Sequence, residues 1–203
     1  MTDDLPAEPS DSTGMVFTYN VPAPAHARRR RDPERRSRII DATIEVIEEV
    51  GVAGTTMRRV AKQAGVPLGS MTYHFTDREE LLRAAFARFD ALMTRTVLAQ
   101  LQAAQSPEEM LDVVARIICG PADRRALLLS LELYAYASRR EDMKPFAENV
   151  LRRSRREFMR FFPPATAAAI EALFDGAYIH RAYDLTPPSF EEVRMILGRL
   201  AGR

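Results

Sequence analysis

The chain has 203 residues, of which 46% are hydrophobic and 28% charged, and its formal net charge is +1. This composition predicts one or two domains with a hydrophobic core in a soluble protein, and it excludes a globally basic protein that binds nucleic acid through overall charge. The single cysteine, Cys119, excludes an internal disulfide and fits a reducing cytoplasm, while the lack of a long apolar run or a signal-peptide pattern predicts neither a membrane span nor secretion.

The first segment, residues 1–31, is rich in Pro, Ala, Ser and Asp, and we expect it to form a disordered arm. Positive charge is concentrated where it ends, because residues 28–38 contain seven arginines. The run Arg28–Arg31 has two interpretations, an arm that contacts the minor groove or phosphates of DNA and a solvated linker. Asp32-Pro33 then predicts a helix N-cap followed by proline at the first helical position.

The rest of the chain predicts an all-α fold of about nine helices, because no segment alternates as a strand does. Capping boxes at 76–79, 106–109 and 189–192 mark three helix starts, and Gly51 marks the end of the first helix. The predicted helices span about residues 33–50, 56–64, 67–74, 77–104, 107–118, 123–139, 144–162, 165–183 and 189–201. The apolar face of the first helix is predicted to consist of Ile40, Ile44, Ile47 and Val50.

Residues 37–82 have the pattern of a helix-turn-helix, in which one helix contacts the DNA backbone and the next presents its N-terminal residues to base edges. Gly65 and Val66 form the predicted turn. Small side chains allow close approach, and Gly69 and Ser70 lie near the start of the third helix. Thr56, at a helix N-terminus, is suited to a phosphate. Further candidates for DNA contact are Arg58, Leu68, Thr72, Tyr73, His74 and Arg78.

This segment resembles the TetR family of transcriptional repressors. The resemblance is carried by TT at 55–56, VA at 60–61, AGV at 64–66, Gly69, YHF at 73–75 and LL at 81–82. The resemblance implies phosphate contacts by Thr56, Tyr73, His74 and Arg78, and it places Arg58, Leu68, Gly69, Ser70 and Thr72 nearest the bases. Thr72 stands where the family often has a tyrosine that touches the DNA backbone, so that one contact departs from the pattern.

The resemblance also implies a homodimer on a palindromic operator, released when a small molecule enters the helical second half. We therefore expect a disordered arm at 1–31, a helix-turn-helix domain at 32–82 and an effector-binding and dimerisation domain at 83–203. Candidates for the effector pocket are Phe86, Phe89, Met93, Met110, Ile117, Glu132, Tyr134, Tyr136 and Phe146. Candidates for the dimer interface on the two closing helices are Ala169, Leu173, Gly176, Ala177, His180 and Ile196.

Three features of the second half have alternative explanations. Glu132, with Ser130, lies in a nearly all-apolar helix and predicts either a ligand contact or a structural ion pair with an arginine such as Arg155 or Arg156. The closing helices either pair with their two-fold mates or pack only within one subunit. Tyr134 and Tyr136 are two positions apart, so one can line a pocket while the other packs between helices.

The function predicted from the sequence is a DNA-binding transcriptional regulator, most simply a ligand-released repressor. The alternatives are a ligand-independent regulator or activator, a non-specific nucleoid protein and, remotely, a helical enzyme. We find no catalytic triad, phosphate-binding loop, paired carboxylates or metal-ligand cluster, and therefore expect no catalytic residue, metal or cofactor. The expected partners are double-stranded DNA, a small-molecule effector and a second copy of the chain.

Overall fold

The helical architecture is seen in a computed structural model that describes residues 34–121, 123–183, 186 and 188–202. The arm 1–31 and the Asp32-Pro33 cap lie outside these residues. The described part of the chain contains helices and no strand, which confirms the all-α prediction. In order, the helices are α1 (Arg35–Gly54), α2 (Met57–Gln63), α3 (Leu68–His74), α4 (Arg78–Met93), α5 (Ala99–Ala103), α6 (Pro107–Cys119), α7 (Arg124–Ser138), α8 (Lys144–Phe158), α9 (Pro164–Ala182) and α10 (Phe190–Leu200).

Helices α1 to α3 pack around one apolar cluster, which we call the N-terminal cluster. It consists of Ile39, Ala42, Val46, Val60, Ala61, Met71, Phe75 and Leu81. The predicted apolar residues of α1, Ile40, Ile44, Ile47 and Val50, all pack in or against a cluster, but the prediction left out Ile39 and Val46, which are buried. The reason is that α1 is covered from two directions, by α2 and α4 and by α7. Its buried surface is wider than one helical stripe.

The end of α1 is broken at Gly51, as the sequence predicts. Gly51 has φ 69° and ψ 173°, and one more helical turn follows it to Gly54. Val52, in that turn, packs into a second cluster between α1, α4 and α7, the middle cluster. Its members are Ile47, Val52, Leu82, Ala85, Phe86, Phe89, Leu129, Leu133, Ala137 and Met143. The break thus lets α1 contribute to both clusters.

Helices α4 and α5 are joined by a π turn over Thr94–Leu98, in which the Ala99 amide donates to the Thr94 carbonyl. The sequence predicts one continuous helix over about residues 77–104, but it does not predict the π turn within it. Its far end is held by Arg160, which donates to the carbonyl oxygens of Leu101, Gln102 and Ala104 at 3.3, 3.2 and 2.8 Å. Beyond it, α5, α6, α8, α9 and α10 contribute to a third cluster, the C-terminal cluster, against which the half-buried Cys119 packs. Its members are Leu101, Ala104, Met110, Leu111, Val114, Ala115, Ile118, Phe158, Phe162, Ala167, Ile170, Phe174, Val193 and Leu197.

Two of the three predicted capping boxes differ from the prediction. The Ser189–Glu192 box is present as predicted. At α4, however, the N-cap is Asp77, which accepts from the Glu80 amide at 2.7 Å, and the Glu80 carboxylate accepts from the Thr76 amide at 2.7 Å. The Ser106 cap likewise forms, but Glu109 binds the amide of residue 105 rather than that of Ser106. In both cases the glutamate carboxylate accepts a hydrogen bond from the amide of the residue that precedes the N-cap.

Candidate nucleic-acid interface and internal cavity

The α2–turn–α3 unit has the geometry of a helix-turn-helix. Thr56 caps α2, since its hydroxyl accepts from the Arg59 amide at 3.2 Å. Gly65 has φ 64°, which glycine adopts without strain, and the Val66 amide after it donates to the Ala61 carbonyl at 3.0 Å. The turn is therefore closed by backbone bonds, and it fixes the direction in which α3 leaves α2.

One side of α3 is buried and the other is open. Met71 and the following Phe75 are buried in the N-terminal cluster. On the outside, Leu68 is 44% exposed and Tyr73 is 72% exposed. A methyl group added at Gly69 would meet no atom within 4 Å. The exposed leucine and tyrosine are not needed for packing within the chain, so this face is available to a partner.

The polar residues of α2 and α3 are mostly exposed. Thr72 is exposed, and its hydroxyl donates to the Gly69 carbonyl at 3.1 Å. Tyr73 and His74 make an edge-to-face ring contact with centroids 5.0 Å apart. Arg58, Arg59 and Lys62 on α2 have exposed side chains, whereas Ser70 is half-buried.

Arg78 has a different environment from that expected of a phosphate contact. Its guanidinium donates to the Thr55 carbonyl at 2.7 Å and to the Val52 carbonyl, and it pairs with Glu79 at 3.0 Å. These bonds hold the segment between α1 and α2. A direct bond from Arg78 to a phosphate would have to replace some of them.

A cavity of about 280 Å³ lies between α4, α7, α8 and α9, and the π turn forms part of its wall. Phe89, Met93 and Tyr134, all predicted for a pocket, line it. Tyr136 packs instead against Phe86, with ring centroids 5.6 Å apart. One tyrosine therefore lines the cavity while the other packs between helices, as expected. The other lining residues are Asp90, Thr94, Val97, Leu98, Leu127, Ser130, Leu131, Leu133, Val150, Leu151, Arg153, Ser154, Glu171, Phe174, Asp175 and Ile179.

The remaining pocket candidates do not line this cavity. Phe86, Tyr136 and Phe146 pack in or against the middle cluster, and Met110 and Ile117 belong to or pack against the C-terminal cluster. Helical periodicity identifies apolar positions, but it does not distinguish a side chain facing a neighbouring helix from one facing a void.

Glu132 is not explained by either predicted alternative. Its Oε2 accepts a hydrogen bond from the Val52 amide at 2.9 Å, at the break in α1. Arg155 pairs with Glu171 instead. One helical turn further along α7, the hydroxyl of Tyr136 donates to Glu79 at the start of α4. Burial, together with that hydrogen bond, raises the pKa of Tyr136 to about 12. Glu132 and Tyr136 of α7 therefore contact α1 and α4 directly.

The acidic residues of the cavity were missed by the sequence interpretation. Glu171 is buried, and its Oε2 accepts from Arg155 Nε at 2.6 Å, while Oε1 accepts no hydrogen bond from the described residues. Asp175 lies one helical turn further along α9. Burial, with the nearby charge of Glu171, raises the pKa of Asp175 from 3.8 to about 6, although Arg155 opposes the shift. The i, i+4 spacing of two acids on one apolar helix was the available signal.

Asp175 gives a testable effect on stability. Its folded pKa of about 6 is above the unfolded value of 3.8, so its favourable contribution is present below pH 4 and is lost as the pH rises through 6. We expect Asp175→Asn to raise the free energy of unfolding at pH 8 by about 1 kcal/mol, less than the full pKa shift implies, because water screens this half-buried group. Urea titrations at pH 4 and 8 would measure it; an equal effect at both values would contradict the assignment.

The surface of α9 and α10 contains the predicted dimer residues in two environments. Ala169, Leu173, Gly176 and Ala177 are half-buried, and Leu173 and Ala177 pack against the chain's own C-terminal cluster. His180 and Ile196 are exposed. The structure adds apolar residues that the sequence interpretation did not select, namely the exposed Ile179, Tyr183, Met195 and Leu200.

Among the described helices, none is both long and apolar enough to cross a bilayer.

Two family descriptions match separate parts of the chain. Residues 39–85 match the bacterial regulatory proteins of the tetR family, and residues 105–203 match the tetracyclin repressor-like C-terminal domain. The first match contains α2 and α3, and the second contains α6 to α10.

Similar proteins with solved structures or curated descriptions are transcriptional regulators or drug-binding proteins. A member of the TetR family from Streptomyces coelicolor A3, SCO1917, is 36% identical with a TM-score of 0.71, covering 83% of this chain and 99% of that one. The multidrug binding protein EbrR, complexed with ethidium, is 37% identical with a TM-score of 0.71 and the same coverage, 83% and 99%. The HTH-type transcriptional regulator BetI of Rhizobium meliloti (strain 1021) is 28% identical over 171 residues, which cover 79% of this chain and 84% of BetI.

Proposed function

Because this chain belongs to the TetR family and is a transcriptional regulator, we propose that it is a homodimeric repressor that leaves a palindromic operator when a small molecule enters its cavity. The observation that carries the DNA-binding part is the outer face of α3, where Leu68 and Tyr73 are exposed beside a glycine with open space around it. We assign residues 32–82 to DNA reading and residues 83–203 to effector binding and dimerisation.

The reading helix approaches the base edges through its first turn. Gly69, Ser70, Leu68 and Thr72 are proposed to lie nearest the bases, and Arg58 on α2 nearby. Thr56, Tyr73 and His74 are proposed to contact phosphates. For Arg78 we propose a positioning role, because its guanidinium holds the carbonyls of Val52 and Thr55 and so fixes the start of α2.

We expect Gly69→Ala to fold normally and to lose operator affinity. The added methyl meets no atom of the chain within 4 Å, and alanine favours a helix by about 0.5–1 kcal/mol over glycine. On DNA, the same methyl would stand between the helix backbone and the bases, costing roughly 1–3 kcal/mol, or about 5- to 150-fold in affinity. Thermal unfolding and fluorescence anisotropy with promoter DNA measure the two effects.

Matched arginine variants provide the control for this test. Arg58 on α2 and Arg152 on α8 both have exposed side chains, so replacing either with alanine removes one exposed positive charge. Arg58→Ala should weaken binding to DNA, whereas Arg152→Ala should not.

Tyr73→Ala should weaken binding to all DNA sequences and reduce the salt dependence of binding. Unchanged binding by Gly69→Ala and Tyr73→Ala together would contradict the placement of α3.

A homodimer is supported by the apolar residues on the outside of α9 and α10. Ile179, Tyr183, Met195, Ile196 and Leu200 are all exposed in the single chain, and such a collection of apolar side chains on two neighbouring helices favours pairing with a second copy. A dimer presents two reading helices to two half-sites about one helical turn of DNA apart. Sedimentation of the purified chain, alone and with operator DNA, tests this step; a monomer in both would exclude it.

An effector is supported by the cavity and by EbrR, whose solved complexes include ethidium, malachite green and imidazole. In this chain, Tyr134 of α7 lines the cavity, while its neighbours Glu132 and Tyr136 bind Val52 and Glu79 in the N-terminal helices. A ligand that displaces α7 would therefore disturb the reading domain. A coupling of roughly 1–3 kcal/mol would reduce operator affinity about 5- to 150-fold.

The experiment that tests the whole function is operator binding with and without candidate effectors. We expect specific binding to an inverted repeat near the gene, with specific DNA preferred over unrelated DNA by orders of magnitude. Loss of binding on adding a compound supports a ligand-released repressor. Tight binding that no compound alters supports a ligand-independent regulator, and equal binding to all DNA supports a nucleoid protein.

A further inference from the structure

The cavity contains a buried carboxylate whose hydrogen bonding is incomplete. The Glu171 side chain is only 5% exposed, and its Oε2 is bound by Arg155. Its Oε1 is buried and accepts no hydrogen bond from the described residues. A buried carboxylate oxygen without a partner is costly, so this atom is a site at which a donor or a positive charge would bind favourably.

Asp175 places a second carboxylate beside the first. It follows Glu171 by four residues, so the two side chains lie on one face of α9, and both line the cavity. Asp175 makes no hydrogen bond or ion pair with the described part of the chain. Two like charges at this spacing repel each other, and a cation between them would relieve the repulsion.

The other charges of the cavity do not supply that cation. Arg153 lines the cavity, but its guanidinium is paired with Asp90 across from it. Arg155 binds Glu171 from a half-exposed position and does not line the cavity. The lining therefore has an excess of negative charge. An anionic ligand would meet the carboxylates of Glu171 and Asp175, and the guanidinium of Arg153 is already paired.

The rest of the lining is mostly apolar and aromatic. Phe89, Tyr134 and Phe174 line the cavity together with aliphatic side chains of the π turn, α7 and α8. Aromatic faces attract cations through the ring quadrupole, and aliphatic walls take up an apolar ligand body. The cavity of about 280 Å³ has room for a small organic molecule rather than for a metal ion alone.

We infer that this cavity binds a lipophilic organic cation, with the positive charge at Glu171 and Asp175 and the apolar body against Phe89, Tyr134 and Phe174. The inference rests on the proposed function, because it names the ligand class for the cavity to which the effector is assigned. It follows from the charge and geometry of the lining, and it predicts that charge, rather than shape alone, selects the ligand.

The test uses two probes of nearly equal shape and different charge. Phenyltrimethylammonium carries a permanent positive charge, and tert-butylbenzene is its neutral carbon isostere. In calorimetric titrations of the full chain, we expect the cation to bind at least on the order of tenfold more tightly than the isostere. Equal affinity for the two probes, or tighter binding of the neutral one, would overturn the inference.

Variants locate the charge effect. We expect Glu171→Gln and Asp175→Asn each to weaken binding of the cation by roughly tenfold and to leave binding of the isostere unchanged. Glu148→Gln on α8 is the matched control, since it also removes one carboxylate from an ion pair with an arginine, but outside the cavity. If Glu171→Gln does not fold, Asp175→Asn decides alone. Equal loss in Glu148→Gln would show that net charge, and not the cavity, is responsible.

The pH provides a second readout. Because the pKa of Asp175 is raised to about 6, this carboxyl is protonated at pH 5 and charged at pH 8. Affinity for phenyltrimethylammonium should therefore rise with pH in the parent and much less in Asp175→Asn. The charged or titratable groups that share the cavity or contact its acids are Asp90 of α4, Tyr134 of α7, Arg153 and Arg155 of α8, and Glu171 of α9. A pH-independent affinity in the parent would contradict the role of Asp175.

Operator binding separates this inference from the proposed function. A chain that binds its operator specifically but prefers the neutral isostere overturns the ligand class and leaves the regulator intact. A chain that binds no promoter DNA overturns the proposed function, whereas the probe titrations still decide which ligand class the cavity accepts. Release of operator DNA by the cation supports both.

Discussion

Gly51→Ala is expected to destabilise the protein by roughly 2–6 kcal/mol. Gly51 has φ 69° and ψ 173°, a region that residues with a Cβ rarely adopt, which costs about 1–3 kcal/mol. The new Cβ would also lie 2.8 Å from Oε1 of Glu132. That carboxylate would have to move, and the move would break its hydrogen bond with the Val52 amide, leaving a part-buried donor unsatisfied at a cost of about 1–3 kcal/mol. Urea denaturation at fixed protein concentration measures the sum.

Gly65→Ala is the matched control for this effect. Gly65 also has a positive φ, 64°, but a Cβ there would meet nothing within 4 Å. It should therefore show the backbone cost alone, about 1–2 kcal/mol. In a Glu132→Ala background, Gly51→Ala should lose the part of its effect that comes from the carboxylate. A cost at Gly51 no larger than that at Gly65 would contradict the contact between α1 and α7.

Phe86→Ala is expected to cost about 3–5 kcal/mol of folding free energy, the range for removing a fully buried aromatic ring. Phe86 is fully buried at the centre of the middle cluster, where its ring contacts that of Tyr136 at 5.6 Å between centroids. This cluster joins α1, α4 and α7. Loss of the Phe86 ring would therefore weaken the packing of α1 and α4 against α7, and with it the attachment of the DNA-binding segment to the second half of the chain. Chemical denaturation and operator binding should both report the change.

Phe89→Ala, one turn further along α4, distinguishes a core residue from a cavity residue. Phe89 lines the cavity, so part of its ring borders a void and makes fewer contacts. We expect a smaller cost, about 1–3 kcal/mol, together with altered affinity for cavity ligands. Equal costs for the two variants, with no change in ligand affinity for Phe89→Ala, would show that the assignment of these two rings is wrong.

The reading unit could be predicted because its signals are local. Thr56, Gly65 and Pro67 mark the helix limits, and the structure places α2 and α3 within one or two residues of the predicted bounds. Caps, positive-φ turns and helical periodicity depend on residues a few positions apart. The family resemblance depended on the same compact segment, and the matches at 39–85 and 105–203 confirm it.

Other features depended on contacts between residues far apart in the chain. Glu132 and Val52 are 80 residues apart, and Tyr136 and Glu79 are 57 apart. The pairing of Arg155 with Glu171, rather than with Glu132, likewise required the packing of α8 on α9. A charged residue in an apolar helix indicates that a partner exists, but several arginines satisfy that condition equally well in the sequence.

The amino-acid sequence by itself determined the class of protein, the approximate positions of the helices and the exposed face of α3, since spacing along the chain decides these. The tertiary structure alone decided which apolar side chains surround a void, which carboxylates share it and which residues of α7 contact α1 and α4. The physical reason is that burial and charge environment arise from the packing of several helices, and each helix allows more than one neighbour until all of them are in place.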